Sequence, residues 1–375
     1  MRLQVGAVAQ QRMCCAIVLL LGLSTTSAKV LSNDRWVLKQ RPVGDFTAQD
    51  LVMQTEEVDD ASLDKDEVLV QVETLSIEAF YRTTLDEEAY HGSTAVGAVV
   101  PALGIGRVVS SKSRKLKPGS LVVGMLGAQS LAKLPAAGLQ AAASLPGSKR
   151  TDSLGRLGIS GLTAWIGMCA VLGPPKRGQV VIVSAAAGAV GSLAAQIAKA
   201  RGAIVIGVAG GAAKCAYLRD RLKLDGAIDY KEDEVSLAEQ IDRVAPDGID
   251  FFFDNVGGPI LDAVLSRLRR NARIVLCGGI HHYGSGDMNK GRVVGPREYL
   301  KLAERGATMR GYNVMHHLPA KLPAFLAKML WLIWRGKVLM DEHVEQGLER
   351  FADAMELMYK GGHVGKLLVN VSAPA

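Results

Sequence analysis

Immediately after the apolar run Val180-Val181-Ile182-Val183, the sequence reads Ser184-Ala185-Ala186-Ala187-Gly188-Ala189-Val190-Gly191. It continues into a helix-like stretch, Ser192–Ala200, that Gly202 closes. Set against the dinucleotide fingerprint G-x-G-x-x-G, Gly188 and Gly191 are the second and third glycines, and Ala186 stands in place of the first. The second glycine of such a turn lets backbone approach a pyrophosphate, and the third lets a helix pack closely on its strand. The helix N-terminus offers unpaired N–H donors and partial positive charge to an anion. Glycine turns before helices are common, so the motif alone is weak. Its place between two apolar strands whose starts lie 24 residues apart makes it a dinucleotide signal.

A site selective for NAD carries Asp or Glu at the end of the second strand, to bind the ribose hydroxyls. Here Val208 is followed by Ala209-Gly210-Gly211-Ala212-Ala213-Lys214, with no acid before Asp220. Lys214 reads either as a solvated lysine at a helix start or as the counter-charge of a 2′-phosphate. The missing acid favours the phosphate role, and therefore NADPH as cofactor.

These residues need a scaffold. Apolar strands are expected at 180–183, 204–208, 227–230, 249–253 and 273–276, with starts 24, 23, 22 and 24 residues apart and a helical segment in each gap. That spacing is that of β-α units, and the unbroken apolar runs are those of strands buried on both faces. The expected fold class is α/β, a Rossmann-type doubly wound parallel sheet, accompanied by a second unit. A chain of 375 residues has room for both. From residue 30 to 158 the pattern is β-rich and barrel-like, with strands at 68–72, 105–109 and 121–125 between Pro-Gly and Gly-Ser turns, and a strand and loop over Leu131–Leu145.

With 49% hydrophobic and 22% charged residues, the chain is neither disordered nor fibrous. Of the formal charge of +7, Arg2 and Arg12 belong to a segment expected to be removed, leaving +5. The other cations are dispersed among acids without interleaved aromatics, so an anionic small ligand is expected rather than nucleic acid. Residues 1–28 read as a targeting leader: Arg2 and Arg12, the apolar run Cys14–Leu23, then Thr26-Ser27-Ala28. The run is short for a membrane span. Because NADPH must be resupplied, an organelle (plastid or mitochondrion) or a secretory lumen is expected; without the leader the protein would be cytoplasmic. Outside the leader there remain only Cys169, Cys215 and Cys277, too few and too scattered for a disulfide framework or a zinc cluster.

Several motifs together resemble the zinc-independent branch of the medium-chain dehydrogenase/reductase superfamily, and within it the leukotriene B4 12-hydroxydehydrogenase, prostaglandin reductase and 2-alkenal reductase family. They are Leu157-Gly158-Ile159-Ser160-Gly161-Leu162-Thr163-Ala164-Trp165, the Ala-Ala-Ala-Gly-Ala-Val-Gly loop, Asp229-Tyr230-Lys231, Phe253-Asp254-Asn255-Val256-Gly257-Gly258 and Cys277-Gly278-Gly279-Ile280. A weaker likeness runs from Asn33 to Lys366. The resemblance implies a GroES-like catalytic domain at 29–158, completed by 342–375, beside a Rossmann NADP-binding domain at 159–341, and a homodimer. It also implies that Gly188, Ala189, Val190 and Gly191 hold the pyrophosphate and that Lys214 and Tyr230 hold the 2′-phosphate. Asn255, Cys277, Gly278, Gly279, Ile280, Tyr312, Asn313 and Val314 would line the nicotinamide side. Position alone leaves Asn255 open between that role and an Asn that forms the turn before Gly-Gly.

Zinc-dependent relatives carry a Cys/His set mainly in the first domain. Between Val30 and Gly158 there is no cysteine and one histidine, His91, so no metal is expected. The pairs His281-His282 and His316-His317 lack carboxylate or thiol partners nearby in sequence and read as loop polarity. Without a metal, the accessible chemistry is hydride delivery to an electron-poor carbon: reduction of the C=C bond of an α,β-unsaturated aldehyde or ketone, with hydride added at the β-carbon and a proton at the α-carbon. Tyr283, after the Cys-Gly-x-Ile turn, is the candidate proton donor; a tyrosine capping a loop at the domain interface is the plainer reading.

Departures from the family pattern bear on substrate. Phe80 followed by Tyr81 replaces a substrate-wall tyrosine, Gly284 an asparagine, and His363 a cofactor-contacting asparagine before Gly365-Lys366. Two other readings stand beside the enone reductase: a zinc-free quinone reductase, and a cofactor-binding protein with little turnover. The stretch Phe325–Trp334 reads as a helix covering the Rossmann sheet or a dimer face, or alternatively as a membrane-surface helix.

Overall fold

The computed structural model describes residues 30–89, 91–142, 147–287 and 289–371; the expected leader lies outside them. The chain opens with an antiparallel pair, β1 (Val30–Leu38) and β2 (Leu51–Asp59). Five strands follow: β3 (Glu67–Ser76), β4 (Leu103–Ser111), β5 (Leu121–Met125), β6 (Leu131–Pro135) and β7 (Gln140–Ala141). The parallel unit comprises β8 (Val180–Val183), β9 (Ile204–Ala209), β10 (Gly226–Asp229), β11 (Ile249–Asp254), β12 (Leu268–Leu276) and β13 (Thr308–Gly311). The last strands are β14 (Glu342–Gln346) and β15 (Lys366–Asn370).

The parallel sheet has the order β10-β9-β8-β11-β12-β13. Winding reverses between β8 and β11, and that switch point is where open α/β sheets bind ligands, beyond the carboxyl ends of their strands. Successive residues of β8 serve two cores. Val181 and Val183 join a cluster with Leu193, Phe251, Phe253 and Phe325 on one face, whereas Val180 and Ile182 join Ile206, Val208, Phe252 and Ile274 on the other. Side chains alternate along a strand, so a sheet covered on both faces needs apolar residues at every position. β13 was not foreseen. Thr308, Arg310 and Gly311 are exposed, as an edge strand permits, and the run is too polar to read as buried.

The helix after the fingerprint begins at Ala189, three residues earlier than the sequence suggests, and runs to Ala200. Residues 189–191 are therefore its first turn, not part of the loop. The β-rich unit is completed by the chain's return: β15 pairs antiparallel with β3, β14 pairs parallel with β15, and Leu348, Phe351, Met355, Leu367 and Val369 share a core with Val70, Val72, Tyr81 and Val122. The helix Leu322–Trp334 buries Phe325, Met329 and Leu332 in the Rossmann core. No helix among the described residues is long and apolar enough to cross a membrane.

Candidate active site

The fingerprint loop is built by close contacts that only small residues allow. A Cβ on Gly191 would lie 2.2 Å from the Ala185 carbonyl oxygen, so this glycine is fixed by helix-on-loop packing. A Cβ on Gly188 would meet nothing nearer than that same oxygen at 3.4 Å, an ordinary contact. The protein interior therefore does not require Gly188; the open space in front of it does. The replaced first glycine is accommodated from the neighbouring strand. A Cβ on Gly207 of β9 would lie 2.8 Å from the Ala186 Cβ, so the methyl at 186 occupies room that Gly207 leaves. No side chain caps the helix Ala189–Ala200, so the first-turn N–H groups of Ala189, Val190 and Gly191 have no intrahelical or capping partner. The donor set and the cradle fit a pyrophosphate.

Beyond β9 the electrostatics fit a further phosphate. Lys214, in the helix Ala212–Ala216, donates through Nζ to the Gly361 carbonyl at 2.8 Å. Burial, and then the charge of Lys231, lower its pKa from the ordinary lysine value. A Cβ on Gly210 would meet the Tyr230 ring at 2.9 Å and Lys231 Cε at 3.0 Å, so both side chains lie over this glycine. Asp229 is not a ribose-type acid here, because its Oδ1 accepts from the backbone N–H groups of Gly211 (2.7 Å) and Lys231 (2.9 Å). Two lysines that repel one another and a tyrosine half exposed at 47% surround a place suited to an anion. His363 stands beside Lys214. Burial, then Lys214, His343 and Lys366, bring its imidazole down to about 4, and its enclosed Nδ1 has no hydrogen-bond partner among the described residues.

On the nicotinamide side the loops after β8, β11 and β12 are laced together. Ser184 Oγ donates to Asp254 Oδ1 at 2.8 Å, and Asn255 donates its backbone N–H to Ser184 Oγ and its side-chain Nδ2 to the Ser184 carbonyl, both at 2.7 Å. Asn255 thus ties two strand ends at the switch point, with its side-chain oxygen left to face other groups. Burial raises the Asp254 carboxyl pKa, against the hydrogen bonds it accepts from Val256 and Gly257 N–H and from Ser184. Cys277 N–H and Gly278 N–H donate to the Asp254 carbonyl at 2.7 and 3.2 Å, and Ile280 N–H to Asn255 O at 3.1 Å. Burial pushes the Cys277 thiol up to about 12, so it is an inert neighbour rather than a nucleophile. Tyr312 turns its hydroxyl into the Rossmann domain, donating to the Thr163 carbonyl at 2.7 Å and lying 3.3 Å from Cys277 Sγ. What it can offer the cleft is therefore ring and backbone. Val314 starts a short 3-10 turn against the same core, and Asn313 caps it by accepting from Met315 N–H at 2.9 Å.

Tyr283 ends the short helix Ile280–Tyr283, and its hydroxyl oxygen accepts from Gly279 N–H at 3.1 Å. This helix packs against the turn Ala79–Thr84 of the first domain. Phe80, half-buried, rides on that turn against His91 and Tyr81, with ring centroids 5.3 and 4.8 Å away. Tyr81 is a correction to the expected substrate wall. It is fully buried, donates to the Ser76 carbonyl at 3.1 Å and accepts from Leu103 N–H at 2.6 Å, as a core tyrosine does.

Residues that sequence reasoning missed hold these pieces in place. Arg82, fully buried, donates to Gly284 O (3.0 Å) and Gly44 O (3.1 Å) and pairs with Asp86 (3.1 Å), clamping the first domain to the loop just after Tyr283. Asn289 bonds Thr83 O and Asp86 across the same seam. Lys231 carried a visible signal, a lysine one residue past Tyr230. Arg82 carried little: Asp86 is a local partner, but the two carbonyls it clamps lie 38 and 202 residues away. The rings of His281 and His282 meet each other edge to face, His281 beside Gly258 and His282 beside Gly257. No group of three or more His, Cys, Asp or Glu placed to hold a metal occurs among the described residues.

Comparison with known proteins agrees with this geometry. Residues 34–142 match a family model described as the N-terminal domain of oxidoreductase, and residues 189–330 one described as zinc-binding dehydrogenase. The chain is 35% identical to 2-alkenal reductase (NADP(+)-dependent) of Nicotiana tabacum, over 82% of this chain and 88% of that protein. It is 31% identical to NADPH-dependent curcumin reductase of Escherichia coli, over 91% and 97%. The crystal structure of CurA from Vibrio vulnificus in complex with NADPH superposes with a TM-score of 0.83 at 31% identity, over 91% of this chain and 100% of that one. With no cysteine in residues 30–158 and relatives of this kind along nearly its whole length, the chain belongs to the zinc-independent branch of the medium-chain dehydrogenase/reductase family.

Proposed function

We propose that the protein is an NADPH-dependent reductase of the C=C bond of α,β-unsaturated aldehydes and ketones. The observation that carries this reading is the meeting of Tyr283 with the Phe80 turn of the other domain at the switch-point end of the sheet. That meeting brings the Tyr283 hydroxyl and the Phe80 ring to one place. Gly188 and the first-turn N–H groups of Ala189, Val190 and Gly191 hold the pyrophosphate; Lys214, Lys231 and Tyr230 hold the 2′-phosphate; His363 faces the cofactor from the returning C-terminal segment. When bound, NADPH supplies a hydride, for which the β-carbon of an enone is the acceptor. Asn255 and the Cys277–Ile280 loop hold the switch-point wall in place, and Phe80 packs the substrate's apolar part from the other domain. Tyr283, its oxygen fixed by the Gly279 N–H, donates its phenolic proton to the α-carbon as charge develops on the carbonyl oxygen.

The test is NADPH oxidation by the purified protein with an enone, with a quinone and with no acceptor, in wild type and Tyr283→Phe. Saturable C=C reduction without quinone turnover, cut about 100-fold or more in the variant at unchanged NADPH affinity, supports the reading. Quinone turnover alone would favour the quinone reductase, and turnover with neither acceptor would leave a cofactor-binding protein. The rest of the reading is that residues 1–28 direct the protein to an organelle or secretory lumen. It also takes two copies to form a homodimer, for which the outer edge of β13 is an available strand.

A further inference from the structure

The helix Leu322–Trp334 is apolar on two sides, and only one is used by the fold. Phe325, Met329 and Leu332 face the core, while Ala324, Ala327, Lys328, Trp331, Trp334 and Arg335 form an exposed stripe at helical spacing. Trp331 is 46% and Trp334 78% exposed, unusual for the largest aromatic side chain. The stripe is also strongly basic. From Lys321 to Lys337 there are four cations and no acid, the nearest acids in the chain being Glu304 and Asp341. None of the four forms an ion pair with a described residue, and Lys328 Nζ stands 4.2 Å over the Trp331 ring. Beside the stripe lies a depression of about 190 Å³ lined by Trp165, Ile197, Arg201, Lys328 and Trp331, which adds another cation to the same rim. Tryptophan at the level of lipid headgroups with unpaired Lys and Arg beside it is the pattern that binds an anionic membrane surface.

We infer that this face docks the protein on an anionic lipid surface, with Trp331 and Trp334 seated among the headgroups and Lys328 and Arg335 against the phosphates. Charge complementarity selects this occupant. A second copy would bring the same unpaired cations against each other, whereas an anionic bilayer neutralises them. The surface is separate from the cleft, so docking leaves the reaction untouched.

The experiment is co-sedimentation of the full chain with vesicles of phosphatidylcholine alone or with about 30% phosphatidylserine, enough to give an anionic surface. Trp331→Gln/Trp334→Gln and Lys328→Glu/Arg335→Glu are compared with wild type, with NADPH binding as the check on folding. Binding only to the anionic vesicles, reversed by salt and weakened about tenfold or more in both double variants, is the expected result. Three outcomes would overturn the inference. They are no binding to anionic vesicles; binding unchanged in both variants, which would move the contact to another part of the chain such as residues 14–23; or conversion of a dimer to a monomer by either variant, which would make the face an interface between copies.

Discussion

Replacing Lys214 by alanine separates the two things this side chain does. Its ammonium donates to the Gly361 carbonyl at 2.8 Å, a structural bond, and also feels the charge of Lys231, whose side chain lies over Gly210. Burial and then the charge of Lys231 lower the Lys214 pKa, and a dianionic phosphate arriving there would offset both. A charge-assisted hydrogen bond to phosphate contributes roughly 1.5–3 kcal/mol, so Lys214→Ala should weaken NADPH by about 10- to 150-fold. NADH, with no 2′-phosphate, should be nearly unaffected. The assay is fluorescence titration of both cofactors with wild type, Lys214→Ala and Lys214→Arg, with thermal melting to check the fold and a salt series to check the charge. Arginine should restore much of the preference, and higher salt should shrink it in wild type more than in the alanine variant. Equal losses for NADPH and NADH would refute the argument, because the residue would then act only through Gly361.

The fingerprint glycines should separate in the same way. Gly191→Ala, which forces a methyl to 2.2 Å from the Ala185 oxygen, should lower the melting temperature and cofactor binding together, whereas Gly188→Ala should melt like wild type and still lose NADPH; both are read by melting with and without cofactor. Arg82→Ala strands a buried Asp86 carboxylate and the Gly284 carbonyl, so chemical denaturation should show a loss of roughly 3–5 kcal/mol, and Arg82→Lys should recover only part of it. His363, held at about 4 against an ordinary 6.5, makes the unfolded chain the better proton acceptor between those values. Its contribution to stability, at most roughly 3 kcal/mol, is therefore intact above pH 6.5 and lost as the pH falls toward 4. The melting temperature of His363→Asn should decline less than that of wild type over that window, and parallel curves would remove His363 as a source.

What was legible in the sequence is what repeats or is local. Five of the six strands of the parallel sheet, β8 to β12, could be located because they recur at a regular interval and their buried segments read as apolar runs. The absence of an acid after Val208, and the presence of Lys214, could be read because a few consecutive residues decide them. β13 escaped because an edge strand with one face exposed needs no apolar run, and β15, with β14 beside it, because β15 joins the first sheet only through β3, some 300 residues earlier, as Leu368 pairs with Ser76. The same distinction divides the site. The resemblance supplied Phe80 and Tyr81 as neighbours on one turn, but only the packing separates them: one ring on the surface of the turn, the other in the core with both hydrogen-bonding functions of its hydroxyl used by backbone. Sequence adjacency says nothing about which way a side chain faces.

The arrangement that makes one site out of two domains rests on two consecutive residues near the C-terminus. Gly365, at φ +75°, donates its N–H to the Ala187 carbonyl at 2.8 Å and lies alongside Gly188, so it touches the cofactor loop itself. A Cβ there would sit 2.0 Å from the Asp341 oxygen, which leaves glycine as the residue that fits. Lys366, next in the chain and fully buried, carries its ammonium in the opposite direction, to Glu78 at 2.5 Å and Ser160 at 3.3 Å. Glu78 is the residue that starts the turn bearing Phe80. One peptide step therefore spans from the backbone of the fingerprint loop to the carboxylate at the start of the Phe80 turn. A buried ion pair contributes little net stability over an apolar pair, but breaking it leaves a costly unpaired charge, which suits it to fixing geometry rather than adding strength. On that reasoning the returning C-terminal segment is not merely a last pair of strands closing the first domain: under the proposed function it would set the spacing between cofactor and substrate that hydride transfer needs.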